Sequence, residues 1–582
     1  MTTRPRHRRP FRLALVAALA MAVGVTGCAG IPTSGEVRDG AADVADPGEI
    51  VYYAAGPAVD GEPQTIVEGF LRAAEAGPTS TVPFSVAQEF LTADAWDGWA
   101  RYARVLVLEG DPVLTVDEPA DPEEADEGDE GSDSVVVRAT ASVVASLDER
   151  GVYSEEPTPS PIEVAFTLTR GKDGQWRISQ LEDGLLLSSA VFSTAFHRTR
   201  LYFPTPDLAW WVPDVRWFPR QTWRTHAVRE LLTGPSPWLA DSVVSAFPEG
   251  TQLAIEAVTV DEDGEIAVNL TSQISEASAQ DRALIAAQLR ATLVEGGGRE
   301  IALYDRTAPL RVTANAEPSL PATKGDALAY TQGELKRVEG RALAELDTPV
   351  SMHGLEPTAL ALGPSGDPVV VRVGTTSLVR ITGPEAPVEL VTGTDLVAPS
   401  IDRFDAVWTA EGNRFLVALP SGRTVALSAD WLDGRTVESF QVSPEGARAA
   451  VVSSGNGGRQ VHVAGILRDG DQVPTGLSAP LRVGAPVDGA TQVVWQEDTV
   501  LGLVGRDENG ARTVYLSGVG GLSGQGGVTR QLTGIVDPAW ITAPVGRPDL
   551  LALDDDGTLF SRQSSALWPV VSEDVQLVAY PG

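Results

Sequence analysis

The chain has 582 residues, of which 43% are hydrophobic and 21% charged, so it is too long for one ordinary domain and too apolar to be disordered throughout. Its 79 acidic residues outnumber 44 Lys and Arg residues and give a net charge of −35, which argues against a nucleic-acid partner because such a surface repels phosphate backbones. The single cysteine, Cys28, excludes an intramolecular disulfide and any zinc or iron–sulfur site built from cysteines.

The amino-terminal residues have the order of a secretory signal. Five arginines and no acidic residue precede residue 13, and residues 13–25 form one apolar run. A membrane-spanning helix needs roughly 20 apolar residues, so this shorter run behind a basic head is typical of a signal peptide. We therefore predict a signal peptide over residues 1–27.

The apolar run ends in VTGC, residues 25–28, which resembles the bacterial lipobox. The resemblance implies cleavage between Gly27 and Cys28, an S-diacylglycerol on the Cys28 thiol, and an N-acyl chain such as palmitate on the new amino terminus. Each buried methylene contributes about 0.8 kcal/mol, so two or three chains hold a protein at a membrane where one holds it weakly. The alternatives are an ordinary signal peptide with a chance cysteine, or an uncleaved anchor.

The predicted location is therefore the extracytoplasmic face of the cell membrane, with a lipid anchor. Residues 28–48 contain the lipidated cysteine and a tether rich in Gly, Ala and Asp, which has little capacity to form a core.

Residues 49–190 are expected to form an α+β domain. Apolar residues recur at helical spacing from Ile66 to Ala74, and Ser85 with Gln88 indicates a capping box for a second helix. Strands are expected at residues 105–108, 135–144, 162–168 and 176–181. This order predicts a sheet curled around helices.

An acidic loop interrupts this first domain at residues 117–133, where ten of 17 residues are Asp or Glu. A calcium site or a partner-binding tail are alternatives. A solvated loop is favoured because the ligand spacing of a calcium loop is absent.

Residues 198–315 are expected to form a compact α/β domain, with helices at 222–232 and 277–294 and strands at 253–260, 265–270 and 301–304. Its motifs resemble the GerMN domain of sporulation, germination and envelope proteins. They are LYF at 201–203, VP at 212–213, Arg216, LLTGPS at 231–236, FPEGT at 247–251 and VNL at 268–270. The resemblance implies a domain that binds and does not catalyse.

This domain contains five tryptophans in one stretch of about 30 residues: Trp210, Trp211, Trp217, Trp223 and Trp238. They could form an aromatic platform for sugars or peptides, for which Trp210 and Trp211 are the candidate binding residues. The alternative is that they pack against the helices, since tryptophan is usually mostly buried.

Residues 325–582 consist of strands and turns with an internal repeat. Residues 398–408 align with residues 441–451, and VVW at 493–495 and PAW at 538–540 recur at a similar spacing. Propeller blades repeat every 40–50 residues or so, which predicts about six blades. The run VSPEGARAAV, residues 442–451, resembles the blade signature of periplasmic propellers. A pair of β-sandwiches is the rival interpretation.

No catalytic constellation is found, so we expect a protein that is not an enzyme and needs no cofactor or metal. The four histidines after the signal share no metal-binding spacing, and the glycine-rich run at 518–524 lacks the lysine of a P-loop. The acidic turns at 507–510 and 554–557 lack calcium-loop spacing and are interpreted as hairpins.

The complete order of motifs, with IPTSG at 31–35 after the lipobox, resembles the LpqB family of lipoproteins from high-GC Gram-positive bacteria. The resemblance implies an accessory protein of the MtrA–MtrB two-component system. Such a protein would contact the extracellular domain of the sensor histidine kinase MtrB and modulate signalling in cell-wall homeostasis and division. The alternatives are a lipoprotein that binds cell-wall fragments or solutes, and, more weakly, an envelope hydrolase that uses carboxylates in the propeller channel.

Overall fold

The computed structural model describes residues 1–2, 54–80, 82–117, 134–261, 264–295, 300–313, 317–383 and 385–582. The predicted signal peptide, Cys28, the tether and the acidic loop beyond Asp117 lie outside these residues. Three folded bodies follow one another within the compact unit Val51–Gly582.

The first body is a six-stranded sheet with a long helix packed on it. Its helices are α1 (Pro63–Ala76), α2 (Ser85–Gln88) and α3 (Ala93–Gly98). Its strands are β1 (Val105–Leu108), β2 (Val113–Val116), β3 (Ser134–Leu147), β4 (Tyr153–Arg170), β5 (Trp176–Gln180) and β6 (Leu185–Ser188). The sheet order is β5-β4-β3-β1-β6, with β2 beside β3, and the β1–β6 pair is parallel.

Helix α1 forms where helical spacing predicts it, and Ile66 and Phe70 are buried against the sheet. The capping box predicted at Ser85 is wrong. Ser85 is the first residue of α2, preceded by Phe84 in the left-handed conformation with φ 60°. Burial of the Phe84 ring against Trp99 fixes this turn, and the side-chain cap belongs instead to Thr92, which starts α3.

The second body contains α4 (Ser189–Ala195), β7 (Phe196–Pro204), β8 (Trp211–Pro219), α5 (Trp223–Thr233), β9 (Thr259–Val260), β10 (Ile266–Leu270), α6 (Ala279–Leu293), β11 (Ile301–Asp305) and β12 (Ala308–Pro309). Strands β7 and β8 form an antiparallel pair, and the other four form a sheet in the order β12-β11-β10-β9. The strand predicted at 253–260 is reduced to its last two residues. Residues 254–257 are exposed, and Leu253 forms only an isolated antiparallel bridge with Leu270.

The third body begins with β13 (Leu328–Thr331), β14 (Glu334–Glu339), β15 (Ala342–Glu345), β16 (Pro357–Leu362), β17 (Val369–Val373), β18 (Ser377–Ile381), β19 (Val388–Thr392), β20 (Ser400–Ile401), β21 (Val407–Glu411), β22 (Arg414–Ala418), β23 (Thr424–Leu427) and β24 (Arg435–Val442). It continues with β25 (Arg448–Gly455), β26 (Gly458–Arg468), β27 (Pro474–Leu477), β28 (Leu481–Val483), β29 (Asp488–Glu497), β30 (Val500–Arg506), β31 (Arg512–Gly518), β32 (Arg530–Leu532), β33 (Pro538–Thr542), β34 (Leu551–Asp554), β35 (Leu559–Ser561), β36 (Val570–Ser572) and β37 (Val575–Ala579).

These strands form six antiparallel sheets in chain order, which we call blades 1 to 6. Five blades have four strands, and blade 4 gains β28 as a fifth. Strand β37, next to the carboxyl terminus, pairs with β13 in blade 1, so the first blade contains both ends of the third body. This closure is the arrangement of a six-bladed β-propeller, in which radial repetition leaves only short, protected strand edges.

The repeat seen in the sequence corresponds to a repeated turn. Asp402 and Glu445, which the sequence aligns, are both buried. The Asp402 carboxylate accepts hydrogen bonds from the Trp408 indole N–H at 2.9 Å and from Arg468 of the next blade at 2.7 Å. The Glu445 carboxylate accepts one from Arg448 at 2.6 Å. The turn therefore joins neighbouring blades through charge-assisted bonds.

A buried ion cluster holds the second body against the first. The Arg216 guanidinium is fully buried and donates to Asp214 at 2.9 Å and to Glu230 at 3.2 Å. It also donates to the main-chain carbonyl of Arg150 at 2.9 Å. Asp214 accepts further bonds from the amide and hydroxyl of Ser236, so every charge in the cluster has a partner.

Replacing the centre of this cluster tests its contribution to stability. We expect Arg216→Met to lower the free energy of unfolding by about 3–5 kcal/mol, because it leaves Asp214 buried and unpaired. Arg72→Met is the matched control, since Arg72 forms an exposed pair with Glu68 that contributes less than about 1 kcal/mol. Urea denaturation of both variants measures the difference, and equal losses would contradict the interpretation.

Candidate functional site

The glycine-rich segment, residues 518–529, is the place where all three bodies meet. Its main-chain carbonyls accept hydrogen bonds from Trp217 Nε1 at 2.9 Å, Arg198 Nε at 2.8 Å and the Tyr153 hydroxyl at 3.0 Å. Tyr153 belongs to the first body, whereas Arg198 and Trp217 lie on β7 and β8 of the second. The run that resembles a P-loop in composition therefore acts as an interdomain joint.

Glu155 on β4 ties the first body to this joint. Its carboxylate accepts hydrogen bonds from the Thr529 amide at 2.5 Å and from the Thr529 hydroxyl at 2.7 Å. Burial raises the pKa of the Glu155 carboxyl, and the two bonds from Thr529 oppose that shift. The contact is therefore electrostatically costly while the carboxylate is charged.

A second joint fixes the second body to blades 3 and 4. The main-chain carbonyl of Trp238 accepts bonds from the Ser478 hydroxyl at 2.5 Å and the Gly465 amide at 3.2 Å. Arg403 forms an ion pair with Asp207 at 2.7 Å. One continuous hydrophobic core includes residues of the second body and of blades 4 and 5, so the two bodies form a common platform.

Beside the first joint lies a cavity of about 640 Å³, which we call the basin. Arg198 and Arg200 of β7 line it together with Tyr202, Trp211 and Leu320. Burial and the like charge of Arg200 lower the pKa of Arg198 to about 10, so the Arg198 guanidinium stays charged at neutral pH. The lining combines two cations and the carboxylate of Glu295 with an aromatic and aliphatic surface.

The two arginines of the basin are incompletely paired within the part of the chain that is described. Arg200 Nε lies 3.7 Å from Asp498 and makes no hydrogen bond, and Arg198 Nη2 is buried without one. Sequence reasoning missed both residues. The alternation of Arg198, Thr199 and Arg200 on a strand places both arginines on one face, and this was the signal available.

The tryptophans of the second body are mostly core residues. Trp211, Trp217, Trp223 and Trp238 are each less than 10% exposed, and the ring of Trp223 stacks on His197 at 4.2 Å. Trp211 packs with Tyr202 and reaches the wall of the basin. Trp210 is half-buried, and the basin lining contains Trp211 and not Trp210. The five rings therefore do not share one exposed platform.

The propeller channel is narrow and lined by the innermost strands of the blades, with a cavity of about 50 Å³. Its lining consists of aliphatic, aromatic and small residues with Ser, Thr and Gln side chains, and it contains no Asp or Glu among the described residues. The channel does not offer the pair of carboxylates that a channel hydrolase would need.

The two acidic turns noted in the sequence have a structural role. The acidic turns at 507–510 and 554–557 are hairpins, in which Asp507 and Asp554 accept main-chain N–H bonds two and four residues ahead. Across the described residues, no group of three His, Cys, Asp or Glu side chains could hold a metal ion. No helix in that same part of the chain is long and apolar enough to cross a membrane.

Three family models match the chain in succession. The model described as the lipoprotein LpqB N-terminal domain matches residues 56–193, the one described as sporulation and spore germination matches residues 200–301, and the lipoprotein LpqB beta-propeller domain matches residues 333–581. Their order agrees with the three bodies of the fold.

Curated relatives named lipoprotein LpqB extend over nearly the same span. The protein from Bifidobacterium longum is 29% identical over 79% of this chain and 80% of its own length. The one from Streptomyces coelicolor is 28% identical over 99% and 98%. Among solved structures, a chain of the nidogen/laminin complex covers 44% of this chain at 10% identity with a TM-score of 0.33, which is too low to support an argument.

The Glu155 contact makes the stability of the first joint depend on pH. The folded-state pKa of Glu155 is raised. The protonated carboxyl therefore contributes stability that is fully present below the unfolded pKa, near 4.5, and that is lost as pH rises through the folded-state pKa. We expect Glu155→Gln to be more stable than the wild type at pH 7, with the difference shrinking towards pH 4. The introduced side-chain amide can accept from the Thr529 amide and donate to its hydroxyl.

Thermal unfolding at pH 4, 5, 6 and 7 measures this difference. Glu149→Gln is the control, since Glu149 is exposed on the preceding turn and should give a constant offset. If the stability of Glu155→Gln relative to wild type is lower at pH 7 than at pH 4, the assignment of a raised pKa to Glu155 is wrong.

Proposed function

The chain belongs to the LpqB lipoprotein family, and on that premise we propose that it is an accessory lipoprotein anchored through Cys28 at the extracytoplasmic face of the membrane. There it binds the extracellular domain of a sensor histidine kinase of the MtrB type. Through that contact it modulates the two-component system that governs cell-wall homeostasis and division.

The observation that carries this proposal is the rigid union of three bodies at two joints. A partner meets a platform whose domains are already fixed, so little conformational entropy is lost on binding. Conversely, a change at one face is transmitted as a displacement of the whole platform. Such a body suits recognition of a neighbouring protein better than enclosure of a substrate.

The proposed lipid anchor also favours binding to a membrane protein. An integral kinase and a tethered platform share one membrane surface, and this confinement raises their effective concentration without any new contact. A modest intrinsic affinity is then sufficient for regulation. The negative net charge of the chain, −35, keeps its body away from an anionic lipid surface, which leaves its faces free for a protein partner.

Separating binding from anchoring tests the proposal. We expect the purified full chain to bind the isolated kinase ectodomain with micromolar affinity by calorimetry. We expect Cys28→Ala to keep that affinity but to lose its effect on kinase phosphorylation in cells, because the effective concentration falls. Absence of association at high micromolar concentration would remove the kinase as partner, and full regulation by Cys28→Ala would remove the anchor from the mechanism.

A second candidate function rests on the basin. Its two incompletely paired arginines and the adjoining Trp211 suit a cell-wall fragment or solute that combines a carboxylate with an apolar or sugar-like face. This function differs in class from kinase regulation and needs no protein partner.

Binding of soluble peptidoglycan fragments, followed by calorimetry, tests this second function. We expect Arg200→Gln to weaken binding at least tenfold, since it removes a cation from the basin. Trp210→Ala is the comparison, because Trp210 lies outside the lining, and its affinity should stay within twofold of wild type. Loss of binding in Trp210→Ala alone would move the site to the outer surface, and absence of binding by wild type would dismiss the function.

A further inference from the structure

A polar groove of about 570 Å³ lies where blade 6 meets blade 1. Three arginines from separate turns line it. Arg341 is in the turn between β14 and β15, Arg547 is in the loop between β33 and β34, and Arg562 directly follows β35. They converge only because the ring closes, since more than 200 residues of sequence separate Arg341 from the other two.

Arg562 is the most unusual of the three. It is partly buried, and across the described ranges its guanidinium makes no hydrogen bond and no ion pair within 4 Å; its Nε is fully buried and unsatisfied. Burial lowers the pKa of Arg562, and the charge of Arg530 adds to that shift. A buried donor without an acceptor costs stability, so the fold tolerates this cation without an internal partner.

Arg547 is also weakly satisfied by the protein. It donates to the Gly325 carbonyl at 2.8 Å, but its nearest carboxylates, Asp326 and Asp549, lie at 3.9 and 3.8 Å and are half-exposed. Its Nε is buried without a hydrogen bond. Arg341 is exposed and has no ion-pair partner among the described residues.

Some other buried arginines of this chain have carboxylate partners, unlike Arg562. The fully buried Arg216 has two carboxylate partners, and Arg468 has Asp402 at 2.7 Å. A chain with 79 acidic residues can readily place carboxylates beside its arginines. In the groove, two aspartates lie within 4 Å of Arg547. Neither of them forms an ion pair with Arg562.

We propose that this groove binds a phosphate group carried by a polyol. A phosphate monoester has three terminal oxygens and up to two charges, so it can accept bonds from more than one guanidinium, whereas a carboxylate has two oxygens and one charge. The groove is much larger than a phosphate alone. The hydroxyl and amide groups of Ser561, Gln563 and Ser564 also line it and provide partners for the hydroxyls of a polyol.

The position of the groove gives binding a structural consequence. Strand β37 closes blade 1 at this seam, and the segment that leads into blade 1 is tied to blade 6 by reciprocal bonds between Thr323 and Val545, each at 2.9 Å. A ligand held by Arg341 and Arg562 together bridges blades 1 and 6. It therefore opposes opening of the ring, and the groove shares no lining residue with the basin.

The test uses the full chain in phosphatidylcholine nanodiscs, titrated with glycerol 3-phosphate by calorimetry, with glucuronate as the carboxylate comparison. We expect saturable binding of glycerol 3-phosphate, at least tenfold weaker binding of glucuronate, and a rise in the unfolding temperature with ligand. Arg562→Gln and Arg341→Gln should each weaken binding at least tenfold. Arg459→Gln is the matched control, because Arg459 forms an ion pair with Glu438 within blade 4, away from the groove.

Each outcome decides the proposal or the source of the phosphate. A second arm replaces phosphatidylcholine by phosphatidic acid, whose headgroup is a phosphate monoester. If wild type binds glycerol 3-phosphate more weakly in the second nanodiscs than in the first, and Arg562→Gln does not show this difference, the lipid headgroup is an occupant of the groove. If the affinity of wild type is the same in both nanodiscs, the occupant is a soluble polyol phosphate. Absence of Arg562-dependent binding in both arms, binding unchanged in Arg562→Gln, or glucuronate binding as strong as that of the phosphate overturns the proposal. Unfolding curves without ligand show whether Arg562→Gln is still folded.

Discussion

Three folded bodies are held together by a segment whose main chain, and not its side chains, makes the decisive contacts. Gly520 and Gly527 adopt φ values of 79° and 83°, a region that side-chain-bearing residues rarely enter. A Cβ on Gly520 would lie 2.7 Å from Val215, and one on Gly527 would lie 2.8 Å from Tyr153. Only glycine lets the propeller approach the other two bodies closely enough for its carbonyls to accept their hydrogen bonds.

This close approach explains how a strongly acidic chain remains one body. Net charge far from zero opposes compaction through self-repulsion, yet the joints place arginines against carbonyls and carboxylates. Arg216 with Asp214 and Arg468 with Asp402 lie almost entirely away from solvent, where such pairs are specific in geometry because an unpaired charge would be costly. The basin and the groove between blades 6 and 1 each contain arginines with buried guanidinium nitrogens that make no hydrogen bond to the described residues.

The candidate binding surfaces therefore lie between structural units and not in their centres. The channel of the propeller is small and lacks acidic residues in its described lining, whereas the basin and the groove each exceed 500 Å³. Both are bordered by the connection between the second and third bodies, through Leu320 for the basin and Asp326 for the groove. The basin and the groove each combine arginines with acidic residues in their linings.

The sequence by itself determined the class of each body, because these depend on local periodicity and short motifs. The spacing of Ile66 to Ala74 predicted α1, the Val105–Leu108 run predicted β1 at its observed bounds, and the repeat around Ser400 and Ser443 predicted propeller blades. The anchor at Cys28 remains a prediction outside the described residues. Only the tertiary structure decided that four of the five tryptophans of the second body are core residues, that the glycine-rich run is a joint, and that Arg341 and Arg562 line one groove. Such contacts join residues hundreds of positions apart, and a local pattern has no information about which distant surface will cover it.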